Sequence, residues 1–216
     1  MANHFSPETI DFLWGIRLNN ERPWFEAHKQ EYVEYLYEPM KALGQSVYPY
    51  FKEMPGMELK VSRIYRDARL HPPVPYKETL WFSIRKSVDS WSRHPTLYFQ
   101  MSPEGGSFGF LLWQPKTDVM EQFRNTLVER PEPFLDLVKQ AEEKTGLLLK
   151  GESYKRPKPC PRAGLEPYFS WRGKLEASKS LEPGPKLFDS DLGSYIGQQL
   201  AAWYPLCEYF YRFTLE

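Results

Sequence analysis

Apolar residues recur at helical spacing from the start of the chain. Ile10, Leu13 and Ile16, with Phe12 beside them, share one face, and Ser6 followed by Pro7 predicts an N-cap and a first-turn proline. Asn19 and Asn20 are predicted to stop this helix, because both tolerate the left-handed conformation, and Asn20 to cap the next one. Trp24, His28, Tyr32 and Tyr35 then lie along one face, with Pro23 in the first turn and a break or kink expected at Glu38-Pro39. Met40, Leu43, Val47, Tyr50 and Phe51 form a third helical stripe that Pro55-Gly56 ends. From Met57 the period falls from 3.6 to 2. Leu59, Val61, Arg63 and Tyr65 alternate with Lys60, Ser62, Ile64 and Arg66. A Pro-rich loop (Pro72, Pro73, Pro75) follows. Three further strands centre on Leu80–Ile84, Leu97–Met101 and Phe108–Leu112, the last two joined by a hairpin at Ser102–Gly106. Helical spacing returns with Val119, Met120, Phe123 and Leu127 behind a Thr117 cap. A second run carries Phe134, Leu135, Val138 and Ala141, with a stop at Gly146. Residues 150–187 have weak periodicity and read as a long ordered Pro/basic-rich loop, with a short helix near Tyr168–Leu175. A C-terminal helix through Leu192, Ile196, Leu200 and Trp203 is kinked or restarted at Pro205. The fold class is α+β: one domain over 1–216, with a mostly antiparallel sheet of about four strands flanked by N-terminal and C-terminal helices.

Composition narrows the function classes. The 216 residues carry 28 basic and 28 acidic side chains, so a uniformly basic nucleic-acid-binding domain is not expected. The zero hides blocks. Residues 58–94 are net +4 and residues 150–179 net +5, while 1–57, 95–149 and 180–216 are each net −3. No apolar run reaches the ~20 residues of a membrane span, so no membrane partner is expected. No signal peptide is read at the start, and the only cysteines are Cys160 and Cys207; a reducing cytoplasmic setting is the simplest expectation. His4, His28, His71 and His94 have no metal-ligand spacing, and no phosphate loop, dinucleotide fingerprint or nucleophile elbow occurs. Neither cofactor nor metal is indicated. Whether the protein is an enzyme stays open, as does its oligomeric state.

Three clusters carry candidate chemistry. R-I-Y-R-D-A-R at Arg63–Arg69, followed by Pro75-Tyr76-Lys77, places Arg63, Arg66, Arg69 and Lys77 within a short span. Guanidinium forks suit phosphate or carboxylate and stay charged when buried. Asp67 is expected either to orient one of them or to neutralise them in a structural network. N-N-E-R-P-W-F at Asn19–Phe25 offers Asn19, Asn20, Trp24 and Phe25 as the other wall of a pocket, or as a turn and its core anchors. The basic residues of 150–179 interleave with Tyr154, Tyr168, Phe169 and Trp171, which fits a protein- or nucleic-acid-interaction module or a solvated loop. His71 is the one histidine of the first basic loop. The leading reading is a small anionic or nucleotide-like ligand at Arg63, Arg66, Asp67, Arg69, Tyr76 and Lys77.

Taken together, these motifs resemble the bacterial domain of unknown function family 2461. The likeness rests on N-N-x-x-x-W-F, Tyr32, Pro39, R-I-Y-R-D-A-R and P-Y-K, then Y-F-Q-M-S-P at Tyr98–Pro103, Pro115, Arg124 and L-K-G-x-x-Y-K-R-P at Leu149–Pro157. It runs from Phe5 to about Leu206. The family pattern reads R-D-x-R-F-x-x-D-K-x-P-Y-K, whereas here Leu70-His71-Pro72-Pro73-Val74 stands in the middle and the Asp-Lys pair is missing. Cys160-Pro161-Arg162 also departs from the pattern. The resemblance implies a soluble bacterial protein and supplies no reaction.

Overall fold

The computed structural model describes residues 4–67, 69 and 74–215. Leu70, His71, Pro72 and Pro73, and with them the stretch where the family's Asp-Lys pair is missing, lie outside the described residues. The chain is α+β, with an antiparallel sheet. Helix α1 spans Pro7–Leu18, α2 Arg22–Ala27, and the single turn α3 Lys29–Glu31. A π-helical turn at Tyr32–Tyr37 leads into α4 at Glu38–Val47. Strands β1 (Met57–Val61), β2 (Leu80–Lys86), β3 (Pro95–Ser102) and β4 (Gly105–Leu112) follow. Then come α5 (Thr117–Glu129), α6 (Glu132–Thr145), β5 (Lys150–Ser153), α7 (Glu166–Phe169), β6 (Trp171–Leu181) and α8 (Leu192–Thr214). The strand order is β1-β2-β3-β4-β6-β5.

The sheet thus has six strands rather than about four. The two extra ones occupy the stretch expected to be a loop. In β6 the period of 2 does exist: Trp171, Leu175, Ala177 and Leu181 are buried at odd positions. Gly173 and Lys179 interrupt the apolar set, which hides the alternation. β5 is four residues long and its pairing with β6 shifts register between Gly151 and Ser153, so no regular pattern survives there. The short helix is Glu166–Phe169, ahead of the expected position.

Other differences are local. Asn20 does not cap α2: the N-cap is Glu21, and among the described residues no non-glycine has positive φ, Asn19 included. Lys116, not Thr117, is the N-cap of α5. Pro39 does not break the chain of helices. The Glu38 N–H reaches back five residues to the Val33 carbonyl, and the π turn leaves the proline, which lacks an N–H, in the first turn of α4. Helix α8 runs through Pro205 without restarting. Gly146 ends α6 as expected, in the left-handed conformation at φ 70°.

Packing groups the chain into two compact units. The first contains Met1–Ile84, Tyr98–Phe108 and Ser180–Gln198; the second contains Arg85–Leu97, Gly109–Lys179 and Gln199–Glu216. In the first, Phe12, Leu13 and Ile16 of α1 are fully buried, as are Phe25, Leu36 and Met40. In the second, Phe123 packs edge-on to Phe134 at 5.0 Å between centroids and lies 5.3 Å from Phe210. No helix among the described residues is long and apolar enough to cross a membrane.

Candidate functional site

The chain after β1 leaves the sheet and pairs briefly with the segment before β2. Tyr65 and Tyr76 form an isolated antiparallel bridge. The Arg66 N–H donates to the Pro75 carbonyl at 2.8 Å, and the Lys77 N–H donates to the Ile64 carbonyl at 2.7 Å. This bridge brings the two halves of the basic motif side by side. Two groups lock it. The Asn20 side-chain amide donates through Nδ2 to the Tyr76 carbonyl at 3.0 Å, and its Oδ1 accepts the Tyr76 N–H at 3.0 Å. Arg66 Nε donates to the same carbonyl at 2.8 Å. A primary amide is the one neutral side-chain group that offers a donor and an acceptor side by side, so Asn at this position can satisfy a whole peptide unit. Nearby, Arg17 Nε donates to Glu78 at 2.7 Å, and Arg17 also pairs with Glu104.

Aromatic rings form the floor. Phe25 stacks on Tyr76 at 4.2 Å between centroids and 23° between planes. It meets Tyr65 edge-on at 5.7 Å and lies 5.5 Å from Tyr32. Tyr76 is buried, while Tyr65 is 49% exposed. Burial, with Tyr65 and Glu26 nearby, pushes the Tyr76 phenol up from its usual range, and Arg22 acts in the opposite direction. Burial, with Tyr37 and Tyr65, raises the Tyr32 phenol further. These rings are therefore neutral hydroxyl donors and acceptors at pH 7.

The cations divide into two kinds. Asp67 binds Arg69: Oδ1 accepts from its backbone N–H and from Nε at 3.0 Å, and Oδ2 from Nη2 at 2.7 Å. Arg69 is neutralised on the surface, so for this residue the structural-network expectation holds. Arg63, Arg66 and Lys77 differ. None has an ion-pair partner among the described residues. Lys77 Nζ donates to the Arg63 carbonyl at 2.7 Å. Burial first, then Arg63 and Arg66, lower the Lys77 ammonium from its ordinary value. A depressed lysine beside two arginines marks a locally positive field that no carboxylate here relieves.

Of the residues singled out from the sequence, the fold therefore gathers Arg63, Arg66, Tyr76, Lys77, Asn20 and Phe25. Asn19 and Trp24 fall elsewhere. The Asn19 amide donates back to the Gly15 carbonyl at 3.0 Å, and Trp24 stacks on His28 at 4.0 Å. Trp24 fits only because position 15 is glycine: a Cβ there would stand 2.6 Å from the indole. Sequence reasoning missed Arg22, Tyr32 and Tyr65 as neighbours of the site. Arg22 lies within the N-N-E-R-P-W-F motif, and Tyr65 within R-I-Y-R-D-A-R, so the motifs held the signal. Tyr32 carried only helix periodicity.

Half of the eight cations of the second basic stretch have a charged or aromatic partner among the described residues. Arg172 pairs with Glu152, Lys174 with Glu176, and Arg162 with Glu132 at 3.2 Å. Tyr168 meets Trp171 edge-on at 5.0 Å and Phe134 at 5.3 Å. Lys158 lies over the Tyr154 ring at 4.8 Å. Arg124 is 3% exposed and donates through Nη1 to the Trp171 carbonyl at 2.9 Å, which ties α5 to β6. Among the described residues no three His, Cys, Asp or Glu side chains gather to hold a metal ion.

The family model described as "Conserved hypothetical protein (DUF2461)" matches residues 8–209. No curated protein matches the chain. With nearly the whole length matched, the chain belongs to the DUF2461 family.

Proposed function

We propose that this DUF2461 member binds a small anionic, nucleotide-like ligand in the first unit, at Arg63, Arg66 and Lys77. The observation that carries the reading is the grouping of these three cations, with Lys77 Nζ 2.7 Å from the Arg63 carbonyl and no ion-pair partner for any of the three among the described residues. Guanidinium groups would take the oxygens of a phosphate as a fork, and Lys77 would act as a point charge. The half-exposed Tyr65 ring offers a face for a planar group. Asp67 and Arg69 serve at the margin as a self-neutralised pair. The basic 150–179 stretch as an interaction surface draws less support, because half of its eight cations already meet a carboxylate or an aromatic ring.

The test is calorimetric titration with adenosine monophosphate and with inorganic phosphate. Arg63→Ala is the clean variant, since its exposed side chain makes no hydrogen bond among the described residues. It should weaken binding about tenfold, as expected for one lost charge-assisted contact, and leave the melting temperature unchanged. Arg69→Ala should weaken it far less. Equal affinities in wild type and Arg63→Ala would sink the reading.

A further inference from the structure

We propose that a separate cavity in the second unit binds the phosphate group of a small phosphorylated ligand. The cavity has a volume of about 460 Å³. Three segments that are distant in sequence line it: residues 87–94 after β2, the start of α5, and the end of α8. They bring Arg93, His94 and Lys116 together. The side chains of Arg93 and Lys116 have no ion-pair or hydrogen-bond partner among the described residues. Two further lining residues each hold a buried atom without a partner there: His94 Nδ1 and Thr214 Oγ1.

Buried polar atoms without partners are rare in folded proteins, and each is costly. Here two of them belong to residues that line one cavity, beside two cations without an ion pair. An anion with several acceptor oxygens would meet both cations at once, next to the residues that hold these two atoms. Both lining carboxylates are accounted for. Asp118 Oδ1 accepts the Val119 N–H at 2.8 Å and so serves its own helix. Asp89 is an exposed residue of the 87–94 segment and offsets one positive charge. Asp118 offsets the other, so the lining is formally neutral, and Arg85, whose charge reaches His94, adds one positive charge nearby. Consistent with this, burial first, then Lys116, Arg85 and Arg93, hold the His94 imidazole below its ordinary value. The cations that disfavour a proton on His94 favour an anion beside it.

Phosphate fits better than carboxylate because the donors arrive from three segments. A tetrahedral group offers oxygens in several directions, whereas a carboxylate presents two in one plane. The volume lies within the range of about 300–1,000 Å³ that holds organic ligands, which leaves room for a body beyond the phosphate. All the residues involved belong to the second unit, so this site is independent of Arg63 and Lys77.

The experiment follows the His94 imidazole by NMR, assigned with His94→Gln, during titration with inorganic phosphate, ribose 5-phosphate, acetate and chloride at matched ionic strength. The expected result is a saturable shift with both phosphates and a weaker response to acetate. Arg93→Ala and Lys116→Ala should each weaken phosphate binding, as read at His94, about tenfold. Arg93 and Lys116 are exposed, so neither substitution takes packing from the core; far-UV circular dichroism verifies the fold. A shift that tracks ionic strength alone overturns the proposal. So do Arg93→Ala and Lys116→Ala variants that titrate like wild type, or acetate that binds as tightly as phosphate.

Discussion

Replacing Asn20 with alanine should loosen the candidate site from its anchor without touching a cation. The side chain satisfies both the N–H and the carbonyl of Tyr76, each at 3.0 Å. After truncation the carbonyl keeps Arg66 Nε at 2.8 Å, but the N–H has no substitute within the protein. Two hydrogen bonds at about 1 kcal/mol each set the scale, and the orphaned N–H of a buried residue adds to it. Asn20 itself is half-buried, so water recovers part of the loss. A net local cost of about 2 kcal/mol results, equivalent to roughly a thirtyfold change in an opening equilibrium. Amide hydrogen exchange reads this directly. The Tyr76 amide should exchange about thirtyfold faster in Asn20→Ala, and the Lys77 amide, bonded to Ile64, should follow to a lesser degree. Asn19→Ala is the internal control. Its side chain is exposed and bonds only to the Gly15 carbonyl, so its effect should stay within about 0.5 kcal/mol. Unchanged Tyr76 exchange in Asn20→Ala, or equal effects from the two asparagines, would refute the clamp.

Other outcomes follow from the same geometry. Gly15→Ala should destabilise the protein despite the helix propensity it gains, because the new Cβ falls 2.6 Å from the Trp24 ring; overpacking at about 1–3 kcal/mol exceeds the roughly 1 kcal/mol gained, as thermal unfolding would register. The Lys77 ammonium titrates below 10.5, so the unfolded chain holds more protons than the folded one between the lowered value and 10.5, and Lys77 makes stability rise with pH across that window. Arg63→Ala removes one of the causes and should move the Lys77 titration upward, measured on its side-chain nitrogen by NMR. His94 titrates below 6.5, with Arg85, Arg93, Lys116, Asp89 and Asp118 as the charged groups around it. Affinity at that cavity for sulfate, a tetrahedral anion whose charge is constant there, should therefore strengthen as pH falls through the His94 range, with proton uptake on binding, and a pH-independent affinity would contradict it.

Periodicity read the regular elements well. The strands around Phe82, Phe99 and Phe110 and the stop at Gly146 sit where alternation and turn chemistry put them. It failed where a residue type served a purpose other than the local one. Asn20 looks like a cap because Asn caps helices, yet its amide is used 56 positions away on Tyr76. Gly173 and Lys179 dilute the apolar face of β6, so a real strand reads as a loop.

The chain by itself determined which residue types stand close in sequence: the arginines of Arg63–Arg69, the aromatics of Trp24-Phe25, and the zero balance that conceals two positive blocks. Only the tertiary structure decided which of those charges are relieved. Arg69 finds Asp67, and Arg162, Arg172 and Lys174 find Glu132, Glu152 and Glu176, whereas Arg63, Arg66 and Lys77 are drawn together by a two-residue bridge. Lys116 shares no motif with Arg93-His94 and joins them only through folding. The physical reason is range. Helix and strand periods are set by neighbours a few positions apart, whereas an ion pair forms within about 4 Å in space, however far apart its partners lie along the chain.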